Sequence, residues 1–150
     1  MRLFGLIGKP LSHSFSQRFF SEKFKNEGLE DCQYQNFELE NINQLSMIVE
    51  GHRNLEGINV TIPFKQEVLQ LIDVADEAVQ KIGACNCIKI SKGKLFGFNT
   101  DVVGFQRSLK PLLEPHHKKA LILGSGGASR AVQHALTELQ IKWTIVSTQS

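Results

Sequence analysis

The sequence predicts an α/β protein in two parts: a three-layer α/β domain over residues 1–113 and the start of a second α/β domain over residues 119–150. Three observations lead to this prediction. Short apolar runs alternate with segments of helical apolar periodicity, as in βαβ architectures. Glycine and proline residues follow several of these runs and end them. A polar segment, Glu114 to Lys118, divides the chain as a linker would.

The first half of the chain alternates strand and helix patterns. Leu3 to Gly8 is a continuous apolar run that stops before Pro10, which is typical of a buried strand. Phe15, Phe19, Phe20 and Phe24 then follow a helical spacing into and along the next segment, and Gly28 is suited to end that helix. Up to residue 62 we expect strands at 3–8, 34–39 and 57–62 and helices at 16–26 and 43–52.

A hairpin is the main feature of the middle of the chain. Two strand-like runs, 86–90 and 95–99, flank a loop whose Gly93 suits a short connection. Asp101 then begins a helix that Pro111 disrupts. The remaining predicted elements are helices at 65–72 and 75–82 and a βαβ unit with a strand at 119–123, a helix at 128–139 and a strand at 143–147.

Composition restricts the function classes. Seventeen Lys and Arg against fifteen Asp and Glu give a formal charge of +2, which is too small to indicate nucleic acid or an anionic membrane as partner. No apolar run reaches the roughly 20 residues that span a bilayer. Three cysteines, with no second Cys/His pair to complete a zinc site beside Cys85 and Cys87, favour reduced thiols, no metal and a cytoplasmic protein.

A glycine-rich turn joins the predicted strand 119–123 to the next helix, and this context favours dinucleotide binding over a turn without a ligand. Gly124 permits a tight turn, Gly126 lets the backbone approach a pyrophosphate, and the small Ser129 permits close packing of helix on strand. The helix N-terminus offers unpaired N–H groups to phosphates. The predicted cofactor-binding residues of this turn are Gly124, Ser125, Gly126, Gly127 and Ala128.

The residues leave the identity of the dinucleotide open. About 20 residues after the first glycine an acidic residue selects NAD and an arginine favours NADP, whereas Ser147-Thr148-Gln149-Ser150 supplies neither. A doubly wound Rossmann domain also needs two βαβαβ halves. We therefore expect the cofactor domain to be incomplete in this chain. If the 150 residues are the whole molecule, we expect weak cofactor binding and little turnover.

Three serines and a histidine lie where the first predicted strand leads into the first helix. Ser14 and Ser16 are two residues apart, so an irregular backbone would aim both hydroxyls at one oxygen-rich ligand. Helix capping is the alternative, and serine is well suited to it. One serine would be enough for a cap, so ligand binding stays open for the others.

A lysine and an aspartate at the ends of two elements predict a proton-transfer pair. Asn59 and Thr61 share one face of their strand, and Lys65 follows in the predicted first turn of a helix, where the macrodipole opposes a cation. Asp101 begins a later helix, where capping is the alternative. Together the two side chains would make a sensible acid–base dyad. Asn86, at the start of the hairpin, is placed to add an amide to the same pocket.

Taken in order, these segments resemble the shikimate dehydrogenases of aromatic amino-acid biosynthesis. That family shows G-x-P-x-x-H-S-x-S, N-V-T-x-P-x-K, G-A-x-N-T, N-T-D and G-x-G-G-A-x-R. Each block alone is a weak signal, but the ordered set is specific and covers the whole chain. The matching segments are Gly8 to Ser16, Asn59 to Lys65, Gly83 to Asn86, Asn99 to Asp101 and Gly124 to Arg130.

The resemblance implies a reversible, NADPH-dependent reduction of 3-dehydroshikimate to shikimate. Lys65 would protonate the alkoxide that forms when hydride reaches the C3 carbonyl, with Asp101 beside it. Glu77 would lie near the cofactor, although a solvated helix face explains it as well. We expect a monomer or a homodimer. The residues implied for the substrate are Ser14 and Ser16 at its carboxylate and Thr61, Asn86 and Asp101 at its ring hydroxyls, with Asn59 beside them.

Departures from the family pattern keep other functions open. Cys87 replaces the threonine of G-A-x-N-T, and residues 147–149 replace an N-R-T motif that would place an arginine on the 2′-phosphate of NADP. The family's C-terminal helices, which fold back onto the first domain, are absent from the sequence. The alternatives are a quinate/shikimate dehydrogenase that uses NAD and a non-catalytic shikimate-binding module. Another Rossmann enzyme, such as a folate dehydrogenase, would leave the serines unexplained.

Overall fold

The computed structural model describes residues 1–147 and contains two sheets. Within these residues, no helix has both the length and the apolar character that crossing a membrane requires. The strands are β1 (Arg2–Gly8), β2 (Cys32–Glu38), β3 (Leu55–Val60), β4 (Val74–Ala75), β5 (Cys87–Ser91), β6 (Lys94–Phe98), β7 (Lys119–Leu123) and β8 (Lys142–Val146). The α-helices are α1 (Ser16–Asn26), α2 (Gln44–Gly51), α3 (Glu77–Ile82), α4 (Asp101–Leu109) and α5 (Gly127–Glu138), and Glu67–Leu71 and Lys110–Leu112 are 3₁₀ helices.

The larger sheet is mixed and has the strand order β2-β1-β3-β5-β6-β4. Strand β1 pairs in parallel with both β2 and β3, whereas β5 runs antiparallel to β3 and to β6. Because β1 and β3 are parallel neighbours, their carboxyl ends meet at one edge of the sheet. Ligands of open α/β sheets commonly bind outside such an edge.

Helices cover both faces of this sheet, which confirms the predicted three-layer α/β class. On one face α1 packs Phe20 and Phe24 against Leu6 and Tyr34. The opposite face holds the main core, which α2, α3 and the 3₁₀ helix Glu67–Leu71 complete. Each large side chain buried there contributes about 1.5–3 kcal/mol relative to exposure. The largest fully buried side chains are Ile7, Leu45, Ile58, Val68, Val79, Cys85 and Ile88.

The predicted βαβ unit is present as β7, α5 and β8, with the two strands parallel and in register from Lys119 opposite Lys142. Its helix packs on the first domain through small residues. Ala131 and Ala135 of α5 lie against Val102 of α4. Alanines at this contact let the two helix backbones approach closely, so α5 is held against α4 over much of its length.

Two short helices predicted at 65–72 and 75–82 are partly wrong. Turns occupy residues 62–66, and Glu67–Leu71 forms a 3₁₀ helix. Val74–Ala75 is a short strand that pairs with β6. The helix α3 starts at Glu77 because the Asp76 carboxylate accepts a hydrogen bond of 2.7 Å from the Val79 N–H. Apolar periodicity continues through both segments and therefore does not reveal where a cap begins a helix.

Candidate functional site

The carboxyl ends of β1 and β3 lie side by side and form one wall of the candidate site. The Lys9 N–H donates to the Ile62 carbonyl at 3.0 Å, and the Thr61 N–H donates to the Ile7 carbonyl at 2.9 Å. A Cβ on Gly8 would collide with the Thr61 methyl group, so glycine is what allows this approach. The serine-rich segment after β1 and the Thr61 side chain therefore lie at the same edge of the sheet.

Lys65 and Asp101, 36 residues apart in sequence, meet at this edge. Lys65 Nζ lies 2.6 Å from Asp101 Oδ2. Their side chains are 16% and 34% exposed, so water reaches the pair without surrounding it. The Lys65 carbonyl accepts a hydrogen bond of 2.8 Å from the Cys85 N–H, which ties the lysine to the segment before β5. This geometry brings an ammonium donor and a carboxylate into one small volume, as acid–base chemistry requires.

The predicted place of Lys65 in the first turn of a helix is wrong. Lys65 lies in a run of turns, two residues before the 3₁₀ helix Glu67–Leu71. Lys65 is therefore not opposed by the macrodipole of a helix that contains it, and its ammonium meets the carboxylate of Asp101. Asp101 is the first residue of α4, where a negative charge is favourable.

Asn86 orients the carboxylate. It is 8% exposed, and its Nδ2 donates to Asp101 Oδ1 at 2.7 Å and to Thr100 Oγ1 at 2.9 Å. Its Oδ1 accepts the Thr100 N–H at 2.8 Å. Asp101 is thus held by Asn86 on one oxygen and by Lys65 on the other. The Asn86 amide, which we predicted to bind a ring hydroxyl of the substrate, is hydrogen-bonded to Thr100 and Asp101 in this structure. Its contact with substrate stays a prediction.

Asn99 is a positioning residue that the sequence analysis did not single out. It is 4% exposed; its Nδ2 donates to the Ala84 carbonyl at 2.8 Å, and its Oδ1 accepts the Asp101 N–H at 3.1 Å. Both ends of the amide are used, so Asn99 fixes the backbone from which the Asp101 carboxylate projects. The signal was available in Asn99-Thr100-Asp101, which we interpreted through its aspartate alone.

Ser14 and Ser16 lie at the entry to α1. Ser16 is the first helical residue, and Ser14 Oγ accepts the Ser16 N–H at 3.3 Å. Ser14 therefore satisfies one N–H of the first turn, as the capping alternative predicts, although the N-cap position itself is Phe15. Both serines are half-buried. Their contact with a ligand carboxylate stays a prediction.

Asn59 lies beside a cavity of about 790 Å³ on the α1 face of the sheet. It pairs with Cys87 across β3 and β5, and its Oδ1 accepts a hydrogen bond of 2.8 Å from the Tyr34 hydroxyl. Tyr34 and Cys87 line the same cavity. Of the predicted substrate residues this cavity includes Asn59, whereas the Lys65–Asp101 pair lies outside it. The volume of this cavity therefore does not identify the position of the Lys65–Asp101 pair.

The glycine turn has the geometry that a pyrophosphate needs. Gly124 has φ +104, a conformation that side chains rarely adopt, and its N–H donates to the Val146 carbonyl at 2.8 Å. A Cβ on Gly126 would meet nothing within 4 Å, so there is open space above this backbone. No side chain within the described residues caps α5. The Ser129 N–H donates to the Gly126 carbonyl at 2.9 Å, so the N–H groups of Gly127 and Ala128 are the ones left for a phosphate, and the residues present fit a dinucleotide.

The same turn reaches the acid–base pair. A Cβ built on Gly127, the first residue of α5, would lie 3.4 Å from Lys65 Cβ. Ser129, two residues later, is buried and donates from Oγ to the Gly126 carbonyl at 2.8 Å. The backbone of the turn therefore passes directly beside Lys65. A ligand bound on the turn would lie next to a ligand held by the dyad.

Two further predictions concern the surroundings of the turn. Glu77 begins α3, and its exposed side chain forms an ion pair of 2.6 Å with Lys81, which lowers the pKa of Glu77 through the hydrogen bond from the lysine. Its place beside a cofactor stays a prediction. Ser147 Oγ lies 3.2 Å from Ser125 Oγ. The other residues expected near an adenosine 2′-phosphate, 148–150, lie outside the described residues.

Fold and site together define a class of α/β protein in which a lysine–aspartate pair on a mixed sheet faces the glycine turn of a βαβ unit. Residues 6–88 match the family model described as the shikimate dehydrogenase substrate binding domain. The chain therefore belongs to the shikimate dehydrogenase family, as the resemblance of its motifs predicted.

Relatives and solved structures agree with this family. The chain is 44% identical over 140 residues to shikimate dehydrogenase (NADP(+)) of Aquifex aeolicus, covering 91% of this chain and 51% of the relative. It matches a structure of the Thermus thermophilus enzyme in complex with NADP(H) and shikimate, with 34% identity, a TM-score of 0.88 and coverage of 99% and 57%. The Listeria monocytogenes enzyme in complex with shikimate and NAD gives 34% identity, a TM-score of 0.83 and coverage of 100% and 53%. The chain thus spans about half the length of these relatives.

Proposed function

We propose that this chain carries the substrate-binding and acid–base part of a shikimate dehydrogenase together with the first part of its NADP site. Residues 1–113 would form the substrate domain and residues 119–150 the start of the cofactor domain. One observation carries the proposal: Lys65 Nζ lies 2.6 Å from Asp101 Oδ2, and the backbone of Gly127 in the glycine turn packs against the same lysine. Acid–base groups and a dinucleotide turn are needed side by side for hydride transfer to a carbonyl.

The chemistry proposed for the dyad is reduction of the C3 carbonyl of 3-dehydroshikimate. NADPH supplies the hydride when it is bound. As the carbonyl carbon accepts that hydride, the Lys65 ammonium gives a proton to the oxygen, which becomes the shikimate hydroxyl. Lys65 is left neutral and regains its proton from solvent. Asp101 holds the ammonium toward the reacting oxygen, and Asn86 and Asn99 hold Asp101.

Hydroxyl and amide groups suit the rest of this substrate. Ser14 and Ser16 are proposed for the carboxylate, since both lie half-buried at the N-terminus of α1, where an anion is favoured. Asn59, Thr61 and Asn86 are proposed for the ring hydroxyls. A site that pairs each hydroxyl discriminates strongly, because an analogue without one leaves a buried polar group unsatisfied.

NADP is the proposed cofactor, because the Aquifex relative is named for it and the Thermus structure holds it. NAD stays the alternative, since the Listeria structure contains NAD. Gly124 to Ala128 would cradle the pyrophosphate, and Glu77 is proposed to lie near the cofactor. A cytoplasmic location is proposed as well; the three free cysteines support it.

Calorimetry and an activity assay on one sample test the proposal. We expect shikimate to bind the chain and, at high NADP concentration, to be oxidised slowly with growth of the reduced-nicotinamide absorbance. Quinate and NAD, assayed in parallel, separate shikimate dehydrogenase from a quinate/shikimate enzyme. Binding without oxidation would leave a shikimate-binding module, and absence of both would contradict the proposal.

A further inference from the structure

Tyr34 contacts one of the predicted substrate residues, Asn59, although no motif includes it. Its hydroxyl donates a hydrogen bond of 2.8 Å to Asn59 Oδ1. Burial raises the pKa of Tyr34, so the phenol stays protonated and acts as a donor at neutral pH. Its partner is Asn59 of β3, on the face of the sheet that α1 covers.

The ring that carries this oxygen is fixed in place. Tyr34 is 4% exposed and stacks on Phe20 with ring centroids 4.5 Å apart and an interplanar angle of 11°. It projects from β2 opposite Phe4 of β1, so its hydroxyl reaches across β1 to Asn59 of β3. A side chain held by burial and stacking places its polar atom with little freedom.

The hydrogen bond from Tyr34 decides how the Asn59 amide is turned. An amide has an acceptor oxygen at one end and two N–H donors at the other. The phenol occupies the oxygen, and we find no other hydrogen bond of the Asn59 side chain among residues 1–147. The N–H end is thereby left for a ligand oxygen. Without the phenol, either end of the amide would be free to face the ligand.

We infer that Tyr34 is a positioning residue of the substrate site, holding the Asn59 amide with its N–H groups toward a ring hydroxyl. The inference rests on the proposed function, since it takes a hydroxylated cyclic carboxylic acid as the ligand. Tyr34 acts through Asn59 and not on the proton that Lys65 transfers. Loss of its hydroxyl should therefore weaken substrate binding and leave the acid–base step unchanged.

Shikimate titrations of Tyr34→Phe, Asn59→Ala and the double variant test this inference. The phenylalanine keeps the ring and its stacking and removes the hydroxyl alone. We expect Tyr34→Phe to weaken shikimate binding by about five- to tenfold, the worth of one hydrogen bond, and to have little further effect in the Asn59→Ala background, because the two residues act as a unit. Phe24→Leu, in the same cavity wall but without a polar group, is the matched control and should bind shikimate as the unaltered chain does.

Three outcomes separate this inference from the proposed function. If the unaltered chain binds no shikimate, the proposed function fails and the inference fails with it. If it binds, but Tyr34→Phe binds equally well or loses the same factor in the Asn59→Ala background, the inference alone is overturned. If Tyr34→Phe does not fold, the inference is tested on the unaltered chain through the NMR signals of the Tyr34 ring. The chain has one tyrosine, so its NMR signals need no assignment; they should shift when shikimate is added, and unmoved signals would overturn the inference.

Discussion

The two regions of this molecule are built differently. The first has a six-stranded sheet covered on both faces, with a core in which side chains such as Leu45 are fully buried. The second has two strands, on which Leu121 and Leu123 are 70% and 81% exposed. These strands pack on α5, and α5 packs in turn on α4 of the first region. The acid–base pair therefore lies on a sheet with its own buried core, whereas the position of the glycine turn depends on packing against that first region.

Removal of the lysine should have the largest effect, since the chemistry of the first region depends on it. We expect Lys65→Met to lower the turnover of shikimate with NADP by about 10²–10⁴-fold, the usual contribution of one acid–base group. Shikimate affinity should fall much less, because methionine keeps most of the aliphatic stem. Steady-state kinetics and calorimetry measure the two effects. Lys94→Ala, an exposed lysine of β6, is the control, and equal losses in both variants would show that Lys65 has no special role.

The difference in packing between the regions predicts unequal responses to the same truncation. Leu45→Ala in α2 should lower the free energy of unfolding by about 2–5 kcal/mol, because it opens a cavity in a fully buried core. Leu121→Ala in β7 removes the same atoms from an exposed position and should change stability by less than about 0.5 kcal/mol. Urea unfolding followed by circular dichroism measures both. Similar losses would mean that the exposed face of β7 is covered by something in solution.

Alanine substitutions at two glycines of the turn should distinguish the effect of backbone strain from the effect on cofactor binding. Gly124→Ala puts a side chain at φ +104 and should cost about 1–3 kcal/mol, loosening β7, α5 and β8 while shikimate binding persists. Gly126→Ala has an ordinary φ of −70 and open space for the methyl group, so the fold should remain intact while NADP binding weakens. Hydrogen exchange and NADP titration follow the two effects. Loss of shikimate binding in either variant would show that the first region needs the turn.

Regular structure was predictable in both regions, because apolar spacing reports which face of an element is buried. The bounds of α1 at Ser16–Asn26 and of β7 at Lys119–Leu123 agree with the sequence analysis. The segment around Lys65 was not predictable, since a turn and a 3₁₀ helix share the spacing of a short α-helix. The meeting of Lys65 with Asp101 was predicted from their places at the ends of two elements and from the family resemblance, but the hydrogen bonds of the Asn99 amide required coordinates. Periodicity cannot reveal which backbone group a buried amide will find.

Cys87, the departure from the family pattern within the first region, should have the smallest effect. It lies opposite Asn59 on the strand pair and is half-buried, and burial raises the pKa of its thiol, so the side chain is a neutral, weakly polar group at pH 7. Replacement by threonine changes size by little and adds one hydroxyl beside an open cavity. We therefore expect Cys87→Thr to alter shikimate affinity by less than about twofold, below 0.5 kcal/mol. A tenfold change in calorimetry would place the residue in contact with the ligand and give position 87 a part in selecting it.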